Sequence, residues 1–322
     1  MTHTIYRMVA LLIMFCVLPD AFSQQVIATI PVGHRPTYLA ADRKTNRIYV
    51  SNQLDNTVSV IDGATNRVLA TISVGRYPNG IAVNSRTNMI YVANLASGSL
   101  SIINGASLTA SKVSLHSCPA KVAINASTNR VYVTIEDQNG FLDVIDGNER
   151  KVVASVPLPP YPLSVAVDTA SNQIYVSDFL CGCGQISVVD GKTNQLANTI
   201  DVPGSAMLEG VALDTRANLV YATDENNGFY AIDRTSGIVL GQIKDLSSPN
   251  EVTAIPGTTL AVEPDTGSNR AIFVDARNFT VKKRVRVGKS PTGVAVNATT
   301  RRVYVANRLS NTVSVIQLPH NW

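Results

Sequence analysis

The feature that most constrains this chain is a pattern that returns about every 42 residues. The unit Asn-x-(Ile/Val)-Tyr-Val stands at Asn46–Val50, Asn88–Val92, Asn129–Val133 and Asn172–Val176. Asn218–Ala222 changes its last residue, and Arg301–Val305 its first. Tyr49, Tyr91, Tyr132, Tyr175 and Tyr221 are spaced by 42, 41, 43 and 46 residues, and the step to Tyr304 is 83, about twice the period. A degenerate copy must fill that gap, and Thr259-Leu260-Ala261-Val262 stands where it should, which makes seven units.

Each unit reads as four strands. The first follows a proline and is small and apolar, as in Pro78–Val83 and Pro291–Val296. The Tyr-Val strand comes next, then an alternating strand such as Thr57–Ile61, then one like Val68–Val74. Asp-Gly or Asn-Gly pairs (Asp62-Gly63, Asn104-Gly105, Asp146-Gly147, Asp190-Gly191) mark the third-to-fourth turn, because these residues tolerate the required backbone angles. Four strands per 40–45 residues is the signature of a propeller, whose radial sheets pack face to face. No stretch shows a helical apolar rhythm. The fold class is therefore all-β, a seven-bladed β-propeller of four-stranded blades over residues 24–322. Unit seven ends with three strands, while Val26–Gly33 resembles an orphan fourth strand. Donating that N-terminal strand to the last blade closes the ring and covers an open edge.

Residues 1–23 read as a signal peptide: Arg7 supplies the positive region, Met8–Leu18 the apolar run, and Ala21-Phe22-Ser23 the cleavage site. The run is too short to span a bilayer, and an uncleaved anchor or lipidation at Cys16 are the alternatives. The chain is thus expected to be exported, to the periplasm, the cell surface or the medium, with no transmembrane segment in the mature part and as a monomer. Apolar residues make up 45% and charged ones 16%, enough for a large core, and a net charge of +4 is too mild to argue for nucleic acid.

The Tyr-Val-x-Asn unit at Tyr49–Asn52, Tyr91–Asn94 and Tyr304–Asn307 resembles the YVTN-repeat β-propeller family. The Thr/Ser-Val-Ser-Val-Ile-Asp strand and the Val-Gly-x-x-Pro linkers at Val74–Pro78 and Val287–Pro291 extend the match over nearly the whole mature chain. The resemblance implies an exported or surface-displayed propeller. It carries over no functional residue, because the repeated Tyr, Val and Asn are packing and turn positions.

Function must therefore be sought in residues that do not repeat. Inter-blade linkers and second-to-third-strand loops share one face, called here the upper face, where variable loops sit on a rigid scaffold. Lys289, Arg308, His34, Arg35 and Arg76 make a basic sector there, beside Tyr38, Tyr77 and Tyr161. Blades three to six are acidic, with Glu136, Asp137, Asp178, Glu209, Asp224, Glu225, Glu251 and Asp265. The basic sector suits an anionic or sugar-like ligand, and solvated loops sorted by chance are the alternative. Lys121, Glu209 and Glu251 replace the Thr, Asn or Gly of other units near the channel mouth, where they could hold a ligand or pair with one another. Cys118, Cys181 and Cys183 read as one disulfide plus a free thiol, or with His116 as a soft-metal site. Asp62, Asp146, Asp190, Asp233 and Asp275 resemble a calcium ladder, but turn capping accounts for them more simply.

These readings favour a non-enzymatic binding module for a protein or a cell-envelope polymer. The alternative is a propeller-type hydrolase or lyase, lactonase-like, in which His34 or His116 acts beside Glu136 or Glu209. Single-stranded nucleic acid stacked on Tyr77 or Tyr161 is disfavoured by export and mild charge. No cofactor motif appears: there is no nucleophile elbow, no phosphate loop and no paired-Cys zinc spacing.

Overall fold

A computed structural model of the chain describes residues 25–179, 184–319 and 322. The segment expected to be a signal peptide, Cys181, Cys183 and His320 lie outside the described residues. Seven four-stranded antiparallel sheets form the blades of an all-β propeller. The inner strands are Pro36–Asp42, Pro78–Asn84, Pro119–Asn125, Pro162–Asp168, Leu208–Asp214, Thr253–Ala254 and Pro291–Asn297, one for each of blades one to seven. Among the described residues no helix is long and apolar enough to cross a membrane.

The repeat explains the packing. Each repeat tyrosine pairs across the ladder with an inner-strand alanine: Ala40 with Tyr49, Ala82 with Tyr91, Ala123 with Tyr132, Ala166 with Tyr175, Ala212 with Tyr221 and Ala295 with Tyr304. A ring beside a methyl fills the wedge between blades without overpacking, and these six tyrosines are at most 2% exposed. Blade six breaks the pair on both sides at once, with Thr253 opposite Val262.

The ring closes as the repeat count requires. Val26–Pro31 forms the outer strand of blade seven, pairing Val26 with Ile316 and Ile30 with Val313. Ile30 is buried in the core shared by blades seven and one. Side-chain amides latch neighbouring blades on the lower face: Asn84 Nδ2 donates to Asn129 Oδ1 at 2.8 Å, Asn125 to Asn172 at 2.6 Å and Asn297 to Asn46 at 2.8 Å. The third-to-fourth-strand turns of the same face carry the regular aspartates. Asp62 accepts the N–H of Ala64 at 2.8 Å, Asp190 that of Lys192 at 2.7 Å and Asp233 that of Ser236 at 2.8 Å, which is capping.

Candidate functional site at the channel mouth

The channel-mouth side chains are aimed by backbone irregularity. Register shifts between Pro36 and Leu39, between Pro119 and Val122 and between Leu208 and Gly210 take Tyr38, Lys121 and Glu209 out of the ladder. A bulge re-aims the residue it contains. In blade six Pro249 bridges Asp265 and the ladder resumes only at Thr253, which frees Asn250 and Glu251 in the same way.

These residues, far apart in sequence, meet across the ring. Lys121 Nζ lies 2.9 Å from Glu251 Oε2 and 3.3 Å from the centre of the Tyr38 ring. Tyr38 donates to Asn250 Oδ1 at 3.4 Å, and Asn250 Nδ2 donates to Glu209 Oε2 at 3.3 Å. Blades one, three, five and six thus supply one network. Lys121 is 5% exposed, so its ammonium survives only because carboxylates and a ring face replace water.

Charge at the mouth is unbalanced. Glu251, Glu209 and Glu136 all act on the single ammonium of Lys121. Burial pushes the Glu209 carboxyl up to about 7, against the pull of Lys121. Burial also raises Glu136, again opposed by Lys121. Burial lowers Lys121, opposed by Glu251, and raises Tyr38 well above its ordinary value, helped by the three glutamates. The mouth is a polar floor with more carboxylates than cations.

The other upper-face residues are placed as follows. Arg35, Tyr77, Cys118, Tyr161 and Ser290 occupy the same linker position, each with φ between 49° and 60°. Arg35 and Tyr77 come together: the guanidinium donates to the Tyr77 hydroxyl at 3.1 Å and sits 5.8 Å from the ring centre. Arg76 instead reaches the Ala96 carbonyl at 3.3 Å. Tyr38, expected beside this basic sector, lies in the channel under Lys121, because its bulge turns it inward. Tyr161 is half-buried in its linker.

Neither histidine pairs with a mouth glutamate. His34 Nδ1 is 2.9 Å from Asp55 Oδ1, and His116 Nδ1 is 3.0 Å from Asp143 Oδ1. The short linkers hold both rings over their own blade or the next loop, so the expected pairings with Glu136 and Glu209 do not form. Asp143 is a residue that sequence reasoning missed. It stands where Ser59, Ser101, Ser187 and Ser314 stand in other blades, and it is fully buried. Elsewhere a buried asparagine donates to that serine, as Asn52 does to Ser59 and Asn307 to Ser314, both at 2.9 Å. In blade three Ile135 replaces the asparagine, and Asp143 takes Ser155 Oγ at 2.6 Å and the His116 ring instead. The signal available in sequence was this departure from the repeat. His116 also stacks on Phe141, centroids 5.2 Å apart.

As a thiol, Cys118 is pushed up by burial and by Asp137 and Glu136, which works against thiolate reactivity. The proposed partners Cys181 and Cys183 lie outside the described residues. Among the described residues no group of His, Cys, Asp and Glu is arranged to hold a metal ion.

Fold and mouth together define a seven-bladed propeller with a charged network across the mouth of its channel. The chain is similar to an uncharacterized protein, YncE, of Salmonella typhi, at 30% identity over 203 residues, 60% of this chain and 54% of that one. It is 28% identical over 140 residues to the YncE protein of Escherichia coli O157:H7, covering 41% of this chain and 38% of that one. The chain spans about half the length of the curated relatives it matches. No family model matches. Among solved structures, a chain of Kuenenia stuttgartiensis hydrazine synthase superposes with a TM-score of 0.81 at 17% identity, over 88% of this chain and 96% of that one. At that identity the likeness concerns the fold alone.

Proposed function

We propose that this protein is an exported, non-enzymatic binding module whose upper face takes a protein or cell-envelope ligand. The observation that carries the reading is the convergence of Tyr38, Lys121, Glu209, Asn250 and Glu251 from four blades on one floor. Surplus carboxylates at Glu136 and Glu209 suit a cationic group on the ligand, such as a lysine or arginine of a partner protein. The Arg35–Tyr77 pair, on the opposite sector, suits an anionic or sugar-like portion of the same ligand.

The test is capture from envelope extracts of the native host with purified protein as bait. A ligand retained by the native chain should be lost, or weakened at least about tenfold, by Glu136→Gln with Glu209→Gln, a loss of about 1.4 kcal/mol. Retention unchanged by those substitutions and by Arg35→Ala with Arg76→Ala would overturn the upper-face assignment.

A second reading has its own observation. Asp143 accepts from Nδ1 of His116, which leaves Nε2 as the proton-accepting nitrogen, the tautomer a hydrolase or lyase base needs. Turnover in broad lactone, ester and lyase assays that His116→Ala abolishes would favour it over binding.

A further inference from the structure

Blade six departs from the repeat on the lower face as well, and there it opens a cavity. A cavity of about 450 Å3 runs from Glu251 down to the Ile255–Gly257 turn, bordered by blades four and five at Ala166, Ala212 and Arg216. Its origin is legible in the turn. Ile255 stands where Asn84, Asn125 and Asn297 donate to the next blade, so the amide latch is missing. The inner strand pairs only at Thr253 and Ala254, and the chain then reverses through Pro256-Gly257, with Gly257 at φ 87° and Thr258 N–H on the Ile255 carbonyl at 3.2 Å. Proline followed by a glycine with positive φ is a type II turn, which takes the place of the side-chain-capped loops of other blades.

The two ends of the cavity differ in charge. At the inner end stands Glu251, one of three carboxylates that share the ammonium of Lys121. At the outer end stands Arg216, exposed and without a carboxylate partner among the described residues. Asp214, which also lines the cavity, is not ion-paired to that side chain and instead accepts the N–H groups of Arg216 and Ala217, each at 3.1 Å, and the Tyr221 hydroxyl at 3.2 Å. The walls between are small and apolar, and they are formed by edge strands of three sheets. The Val211 N–H donates to Ser164 Oγ at 3.1 Å, and the remaining channel-side N–H and C=O groups of these edges have no strand partner, which is what an extended peptide backbone requires. Glu251 to Ile255 is four steps of strand, about 13 Å at a rise of about 3.3 Å per residue.

The geometry points to a lower-face site for a short zwitterionic peptide of three or four small residues, its ammonium toward Glu251 and its carboxylate toward Arg216. Length, charge at each end and an unpaired backbone wall all select this class over a neutral or singly charged molecule. The site is entered from the face opposite the one assigned to the large ligand; the two share Glu251, and Arg216 belongs to the lower one alone.

The test uses tri-alanine, its N-acetyl form and its C-terminal amide, titrated calorimetrically into the full mature chain. Tri-alanine is expected to bind with a Kd below about 1 mM, and each blocked form to bind at least about tenfold more weakly. Arg216→Ala, on the surface and harmless to folding, should weaken tri-alanine about tenfold while leaving the amide unchanged. Thr253→Leu, which fills the cavity, should remove binding of all three, with folding checked by circular dichroism. Absence of tri-alanine binding at about 10 mM, equal binding of the blocked forms, or indifference to Arg216→Ala each overturns the site.

Discussion

Lys121 Nζ and Glu251 Oε2 lie 2.9 Å apart although they belong to blades three and six of the ring. Such a contact can form only across the axis, so it spans the channel at the level of the upper mouth. Together with the contacts of Tyr38 to Lys121 and to Asn250, it ties arcs of a ring whose blades pack chiefly on their neighbours.

Breaking that pair from one side should be costly. Lys121→Met leaves Glu251 and Glu209 without their cation, and a loss of about 3 kcal/mol in urea-unfolding stability is expected. Adding Glu251→Gln should restore at least half of it, because the uncompensated charge is then gone. A double variant no more stable than the single would refute the coupling.

Asp178 sits where Asn52, Asn94 and Asn307 donate to a buried serine in other blades. Burial pushes its carboxyl from 3.8 up to about 7. The folded state therefore holds a proton that the unfolded state has released, and stability falls as pH rises from about 4 to 7. Asp178→Asn should stabilise the protein by on the order of 1–3 kcal/mol at pH 8 and much less at pH 4. Equal gains at the two pH values would count against this account.

Glu263 is buried with both carboxyl oxygens unpartnered, at the position held by Val50, Val92, Val133, Val176 and Val305. Burial, with Asp265 adding to it, raises its carboxyl well above the usual range. The cost of the charged form thus grows with pH. Glu263→Val should raise stability by on the order of 2 kcal/mol at neutral pH, measured by chemical unfolding. A destabilised Glu263→Val would mean that the carboxyl has a role in the fold.

Deleting Gln24–Gly33 removes the strand that pairs with Thr312–Gln317 and takes Ile30 out of the core between blades seven and one. The thermal midpoint should drop sharply, or soluble expression should fail. An unchanged midpoint would show that the ring closes in another way.

The blade count, the degenerate sixth blade and the closing strand were legible in the chain, because each is a local pattern repeated in register. Tyr49 and its counterparts announce a strand wherever they occur, and the lone Val26–Gly33 segment has one place to go. The turn aspartates were legible for the same reason: Asp62 acts on amides two and three residues away.

The site was legible only as a set of departures. Lys121, Glu209 and Glu251 could be singled out because they break the repeat, but their meeting could not be read. It depends on blades that are up to 130 residues apart facing one another across an axis. The pairing of His116 with Asp143 and the inward turn of Tyr38 escaped for the same reason, since a bulge and a linker decide where a side chain points. The sequence alone determined the blades, their number and their order, because hydrophobic period and turn chemistry act over a few residues. Closure of the ring decided which charges neutralise one another, which remain in excess and where a cavity stays open, because those depend on distances that exist only after the seventh blade meets the first.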